Sequence, residues 1–304
     1  MGNSVRVFQV DAFTSRRFSG NPAGVVLDAD ALSSDDMQAL ARELNNGDTA
    51  FLLRPDADDH DLRLRFFTPH REAAFVGHAT LAAHAVLAGL KLEPRRRQKQ
   101  SSGMVEVDSI SGAWPPRIVI HLPPPKLLRG VGERELSAVL EALTLTRADL
   151  DARCPPMLAG DTSTRLLLGI ERGTTLGRLR PDLARLTVLS EQISAPGYFL
   201  FSRQPSLADV STEARMFCPA LGIPEDPVSG NAHALLGAYL LHHRLIGRAA
   251  STPPGSTIEF TGAQGHHMAR PGRVTVALNL QRDVLESVSI VGEAVVVFDT
   301  TLEF

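Results

Sequence analysis

One plan is written twice in this 304-residue chain, about half its length apart. Phe67-Thr68-Pro69 leads through a short polar loop to Phe75-Val76-Gly77-His78-Ala79 and then to an apolar run over residues 80–90. Phe217-Cys218-Pro219 leads likewise through a loop to Val228-Ser229-Gly230-Asn231-Ala232 and then to Ala234, Leu235, Leu236, Leu240 and Leu241. Each run sets apolar side chains round every side of a helix, and such a helix belongs inside a domain. Repetition of this kind means duplicated units. The expected fold class is therefore α/β (α+β): two pseudo-symmetric domains, each a mainly antiparallel sheet wrapped round a central helix. The expected division is residues 1–115, with core helix 79–90 and the C-terminal strand as a candidate to complete it, and residues 116–304, with core helix 232–246. Buried helix starts carry unpaired N–H groups and partial positive charge, so a carboxylate is their natural occupant. Two such starts at a shared cleft are the expected binding site.

The flanking stretches read mostly as strands. Residues 5–10 alternate and end at Asp11, and residues 23–27 resume extended structure after the turn-rich segment 13–22. Ser33-Ser34-Asp35-Asp36 is a helix start, with Met37, Leu40, Ala41 and Leu44 as its apolar stripe and Asn45-Asn46-Gly47 as its end. Asp48 stands at the doorway of a strand over 49–53, which pairs with 62–67 as a hairpin with one wet face. Residues 93–100, with Arg95-Arg96-Arg97 at their centre, read as a solvated basic turn. Pro115-Pro116 and Pro123-Pro124-Pro125 mark the crossing into the second domain. Beyond it, helices are expected over 133–143 and 181–186, and strands over 164–168, 197–201, 256–260, 273–278 and 288–298.

Composition narrows the partners. A formal charge of -3 gives no reason to expect nucleic acid or an anionic membrane. Cys154 and Cys218 make no disulfide framework, so a reducing cytoplasm is expected. The opening Met1-Gly2-Asn3-Ser4-Val5-Arg6 lacks the apolar core of a signal peptide, and no apolar stretch is long enough to cross a bilayer. His242-His243 and His266-His267 are adjacent pairs without a carboxylate or thiol companion at ligand spacing, so no metal is expected. Gly20-Asn21-Pro22 is a turn and not a phosphate loop.

Several pieces in one order over essentially the whole chain carry a resemblance. They are Phe8-Gln9-Val10-Asp11-Ala12-Phe13 with Gly20-Asn21-Pro22-Ala23, residues 43–51, Phe75-Val76-Gly77-His78-Ala79-Thr80, Glu225-Asp226-Pro227-Val228-Ser229-Gly230, and Gln264-Gly265 with Arg270-Pro271. The sequence resembles the PhzF-like family of phenazine-biosynthesis isomerases, which shares the diaminopimelate-epimerase type of fold. That resemblance implies domains related by a pseudo-twofold axis, an active cleft between them, no cofactor or metal, and a homodimer. The family's best-studied reaction isomerises a dihydro-hydroxyanthranilate, with a glutamate taking a proton from ring carbon and helping to return it elsewhere. The matching position here is Asp48, whose arm is one methylene shorter, and misplacing a catalytic group by ~1 Å costs on the order of 10²-fold. His78 and Asp226 match the family's cleft histidine and aspartate, while Asn231 stands where the family typically has serine. The related racemases use two thiols, but Gly77-His78 and Gly230-Asn231 have no adjacent cysteine, which disfavours that mechanism.

Each of these residues has a second reading. Asp48 is either a base, its pKa raised by burial, or a turn residue bonding its own backbone. His78 either contacts substrate or caps a helix, and Asp226 either orients substrate or belongs to a plain Asp-Pro loop. Asn231 can cap the second core helix and donate to a carboxylate. The functional expectation is a cofactor-independent isomerase or epimerase moving a proton at carbon of a small carboxylic acid. Asp48, His78 and Asp226 are its catalytic residues, and Gly77, Ser229, Gly230 and Asn231 bind substrate. The rival is a non-catalytic carboxylate-binding or scaffold protein that kept the fold; lyase or hydratase chemistry would need the same carboxylate.

Overall fold

The structure is a computed structural model that describes residues 4–92, 96–110, 115–160, 163–247, 255–281 and 284–303. The chain forms two compact units, Met1–Leu122 with Val291–Phe304 and Pro123–Ile290. The sequence divided it between residues 115 and 116; the strand Arg117–Leu122 lies with the first unit because it pairs along Gly103–Ile110.

In the first unit, β1 (Ser4–Ala12) runs antiparallel to β2 (Asn21–Leu27). Helix α1 (Ser34–Leu44) then carries the chain back so that β3 (Asp48–Leu53) pairs parallel with β2. Next come β4 (Leu62–Phe67), antiparallel to β3, and the short β5 (Glu72–Ala73), antiparallel to β4. After helix α2 (Gly77–Gly89), β6 (Arg97–Gln100) pairs parallel with β4, and β7 (Gly103–Ile110) and β8 (Arg117–Leu122) follow as antiparallel neighbours. Residues 294–303 return to pair antiparallel with β1. Helix α2 packs on β1, β2, β3, β7 and β8, with every residue from Ala79 to Leu87 buried. An all-apolar helix is stable only when ringed in this way.

Two expectations fail here for physical reasons. The hairpin keeps its wet face on β4, where Arg63 and Arg65 alternate with buried residues, but β3 has none: it lies between β2 and β4, touches both α1 and α2, and five of its six residues are buried. The described part of the basic run, Arg97 to Gln100, is not a turn either. Arg97 and Lys99 face outward to ion pairs with Asp61 at 2.8 Å and Asp56 at 2.9 Å, while Gln98 and Gln100 face inward, so alternation makes it a strand. Arg95 lies outside the described residues.

The second unit contains β9 (Leu127–Gly130), α3 (Glu133–Ala142), β10 (Met157–Ala159), β11 (Arg165–Ile170), α4 (Gly173–Leu176), α5 (Leu183–Ile193) and β12 (Gly197–Ser202). These are followed by β13 (Thr212–Cys218), β14 (Ile223–Asp226), α6 (Gly230–His242), β15 (Thr257–Gln264), β16 (Gly272–Gln281) and the opening residues of β17 (Val284–Glu303). β10 is antiparallel to β11, β11 parallel to β12, β12 antiparallel to β13, β13 antiparallel to β14 and parallel to β15, and β15 antiparallel to β16. That is the succession of pairings from β1 to β7 over again. The matching helices α1 and α5 also both end on a left-handed residue, Asn45 (φ 52°) and Ser194 (φ 56°). The doubled plan legible in the sequence is thus a doubled fold. The expected helix over 181–186 begins instead at Leu183, where the Asp182 side chain accepts the Arg185 N–H at 3.0 Å.

Both core helices start two residues earlier than expected, at Gly77 and Gly230, and stop at Gly89 and His242. Asn231 lies inside α6 and does not cap it. The cap is Ser229, whose hydroxyl accepts the Ala232 N–H at 3.3 Å.

Candidate functional site

In the first unit the end of α1 sets the position of Asp48. Asn45 turns the chain in left-handed geometry, and Asn46 is held by a reciprocal amide pair with Gln9, at 3.0 Å and 2.8 Å. Asp48 opens β3 opposite Ala23 of β2 and is 8% exposed. Its Oδ2 lies 3.8 Å from Nε2 of His78, in the first turn of α2. At that distance the two are neighbours and not hydrogen-bonded. The His78 Nε2 atom is buried without a hydrogen-bond partner. Burial pushes the imidazole down to about 4, so His78 is neutral at pH 7. Val76, the residue before α2, is extended and gives it no side-chain cap. An acid, an uncommitted neutral imidazole and an uncapped helix start therefore meet in one place, bringing together Asp48, Gly77 and His78.

In the second unit Asp226 is the last residue of β14, opposite Met216, so the ladder with β13 extends as far as the Asp-Pro pair and the loop begins only after it. Its neighbour Glu225 is held by Arg215 through two bonds of 2.8 and 2.7 Å. Ser229 caps α6, and the first turn carries Gly230 and Asn231, whose Oδ1 is buried with no hydrogen-bond partner. Two further residues shape this region. His233 donates from Nδ1 to the Ser229 carbonyl at 2.8 Å, and burial pushes its pKa down to about 4. Gln264 bonds the backbone at both Asp226 and Ser229. His233 had no sequence signal beyond its place on an apolar helix; Gln264 lay within one of the matching family pieces, without a role.

Neither cysteine is poised as a nucleophile. Burial raises Cys154 to about 11 and Cys218 to about 12. Among the described residues, no group of three or more His, Cys, Asp and Glu side chains is placed to hold a metal ion. No helix there is long and apolar enough to cross a membrane.

The doubled strand-and-helix plan defines an epimerase-type fold. It is shared with a hydroxyproline epimerase from Agrobacterium vitis, solved with bound trans-4-hydroxy-L-proline: the TM-score is 0.63 over 100% of this chain and 94% of that one, at 12% identity, a likeness of fold alone. A PhzF-family phenazine biosynthesis protein of Bacillus anthracis is more similar, with TM-score 0.86 and 25% identity over 99% of each chain. An uncharacterized isomerase, YddE, of Salmonella typhimurium is 37% identical over 297 residues, 96% of each chain. The family model described as phenazine biosynthesis-like protein, PhzC-PhzF, matches residues 10–300. The chain belongs to this PhzC-PhzF family, and it is an isomerase.

Proposed function

We propose that this isomerase moves a proton at a carbon atom of a small carboxylic acid, without a cofactor, and that Asp48 is the acid and base. The observation that carries the reading is Asp48 standing 3.8 Å from a neutral His78 whose Nε2 has no partner, at the uncapped start of α2. In the reaction the Asp48 carboxylate takes a proton from carbon, and the electron pair of the broken C–H bond passes into the substrate's unsaturated system. The protonated Asp48 then returns the proton to a second carbon, and the carboxylate is restored. His78 contacts a substrate oxygen through its open nitrogen, and the N–H groups near Gly77 favour the charge that develops there. Asp226, Ser229, Gly230 and Asn231 contact the substrate. What supports this is the family match and the Asn231 oxygen that lacks a partner.

Incubating the protein with a panel of ring and amino-acid carboxylic acids in heavy water tests this directly. At least one acid should gain deuterium at carbon, and Asp48→Ala should slow the gain by about 10²–10⁴-fold. Exchange that persists in Asp48→Ala removes the role given to Asp48. A non-catalytic binder would instead saturate with an acid by calorimetry while no acid gained deuterium.

A further inference from the structure

One buried side chain in the second unit holds both ends of the loop before α6. Gln264, the last residue of β15, is 1% exposed. Its Oε1 accepts the Ser229 backbone N–H at 3.1 Å, and its Nε2 donates to the Asp226 backbone carbonyl at 2.6 Å. Those partners fix the orientation of the amide, since the N–H needs an acceptor and the carbonyl a donor. The next residue, Gly265, lies close against the same loop. It sits at φ 85°, and a Cβ added there would lie 2.8 Å from the Pro227 carbonyl oxygen.

The position of Gln264 is a property of the doubled fold. When Phe67 is matched to Phe217, Leu62 falls on Thr212, and the parallel ladders then match Gln98 to Gly262 and Gln100 to Gln264. In the first unit Gln100 turns away to Gln98 and Ser102, and the adjacent Ser101 hydroxyl donates to the Ala74 carbonyl at 3.3 Å, in the loop before α2. Both units therefore tie the loop before their core helix from the end of the matching strand, the second from its last residue, Gln264, and the first from Ser101, the residue just after β6. Only the second does so with a side chain that spans the loop from end to end.

We infer that Gln264 is a positioning residue, which through the Asp226 carbonyl and the Ser229 N–H sets the loop that presents Asp226 and the first turn of α6 that presents Asn231. The inference rests on the reading of Asp226 and Asn231 as substrate contacts. Two variants separate its parts: Gln264→Leu removes both bonds, whereas Gln264→Glu keeps the acceptor for Ser229 and loses the donor to Asp226.

The experiment is residue-resolved amide exchange on the full chain, followed by steady-state kinetics with any acid that gains deuterium in the wild type. In Gln264→Leu the Ser229 amide should exchange about tenfold faster while amides in the middle of β16 keep their rates. In Gln264→Glu, Ser229 should stay protected. Both variants should raise KM for that acid about tenfold and change kcat by less than about threefold. An unchanged Ser229 rate in Gln264→Leu, or a rise spread evenly through the unit, overturns the inference; so does an unchanged KM in a variant whose loop has loosened. If Gln264→Leu does not fold, a wild-type KM in Gln264→Glu overturns it just as well. Should no acid gain deuterium with the wild type, the proposed function falls, and the Ser229 exchange rate still decides whether Gln264 holds the loop.

Discussion

Phe18 is 71% exposed and sits at φ 66°, in the left-handed region that side chains other than glycine rarely enter. Occupying it costs an ordinary L-residue ~1–2 kcal/mol, and here the buried Asp11 carboxylate holds the bend by accepting the Phe18 N–H at 2.6 Å. Phe18→Gly is therefore expected to stabilise the protein by about 1 kcal/mol, read as a higher urea midpoint; a midpoint that stays put would show that the bend stores no strain. At this scale the sequence was unevenly informative. The places of Asp48, opening β3, and of His78, in the first turn of α2, were legible because each is a polar residue next to an apolar element, the kind of position a packed core does not ask for. The Gln9–Asn46 amide pair was not, because 37 residues separate its members and neither spacing nor repetition joins them.

Elements were legible where their chemistry is local. The Ser33 hydroxyl accepts the Asp36 N–H and the Asp36 carboxylate accepts the Ser33 N–H, a reciprocal cap contained within four residues. Ser33→Ala should cost about 1 kcal/mol, measured as a drop in the free energy of urea unfolding; an unchanged value would mean the first turn of α1 adds nothing to global stability. β6 failed for the opposite reason. Its inward residues are glutamines, with Gln98 accepting from the His84 Nε2 at 3.0 Å and donating to Gln100 at 2.5 Å. A strand whose buried face is polar, and satisfied by its own network, leaves no hydrophobic period to read.

For the whole molecule, three imidazoles tie stability to acidity. His78 and His84 in the first unit and His233 in the second are each pushed down to about 4 by burial, from an ordinary value of 6.5. Between those two values the unfolded chain binds protons that the folded chain does not, so stability is full above pH 6.5 and drains away as pH falls towards 4. Each residue contributes on the order of 3 kcal/mol to that loss. The urea midpoint should fall steeply from pH 7 to pH 4.5, and His84→Gln should flatten the slope; a slope identical to wild type would mean His84 is protonated in the folded protein. The doubled architecture itself was legible because two all-apolar helices, each preceded by the same signal, can be satisfied only by two separate enclosures. The C-terminal strand was already a candidate to complete the first domain, and residues 294–303 do lie with it; that their partner is β1 was not legible, since nothing local in β17 names a distant strand. That return has a consequence for biosynthesis. Residues 123–290 leave the ribosome as one uninterrupted block that can collapse as soon as it is clear. Residues 1–122, made first, keep one flank of β1 bare until the closing strand arrives, so the older half of the nascent protein is the last to be sealed.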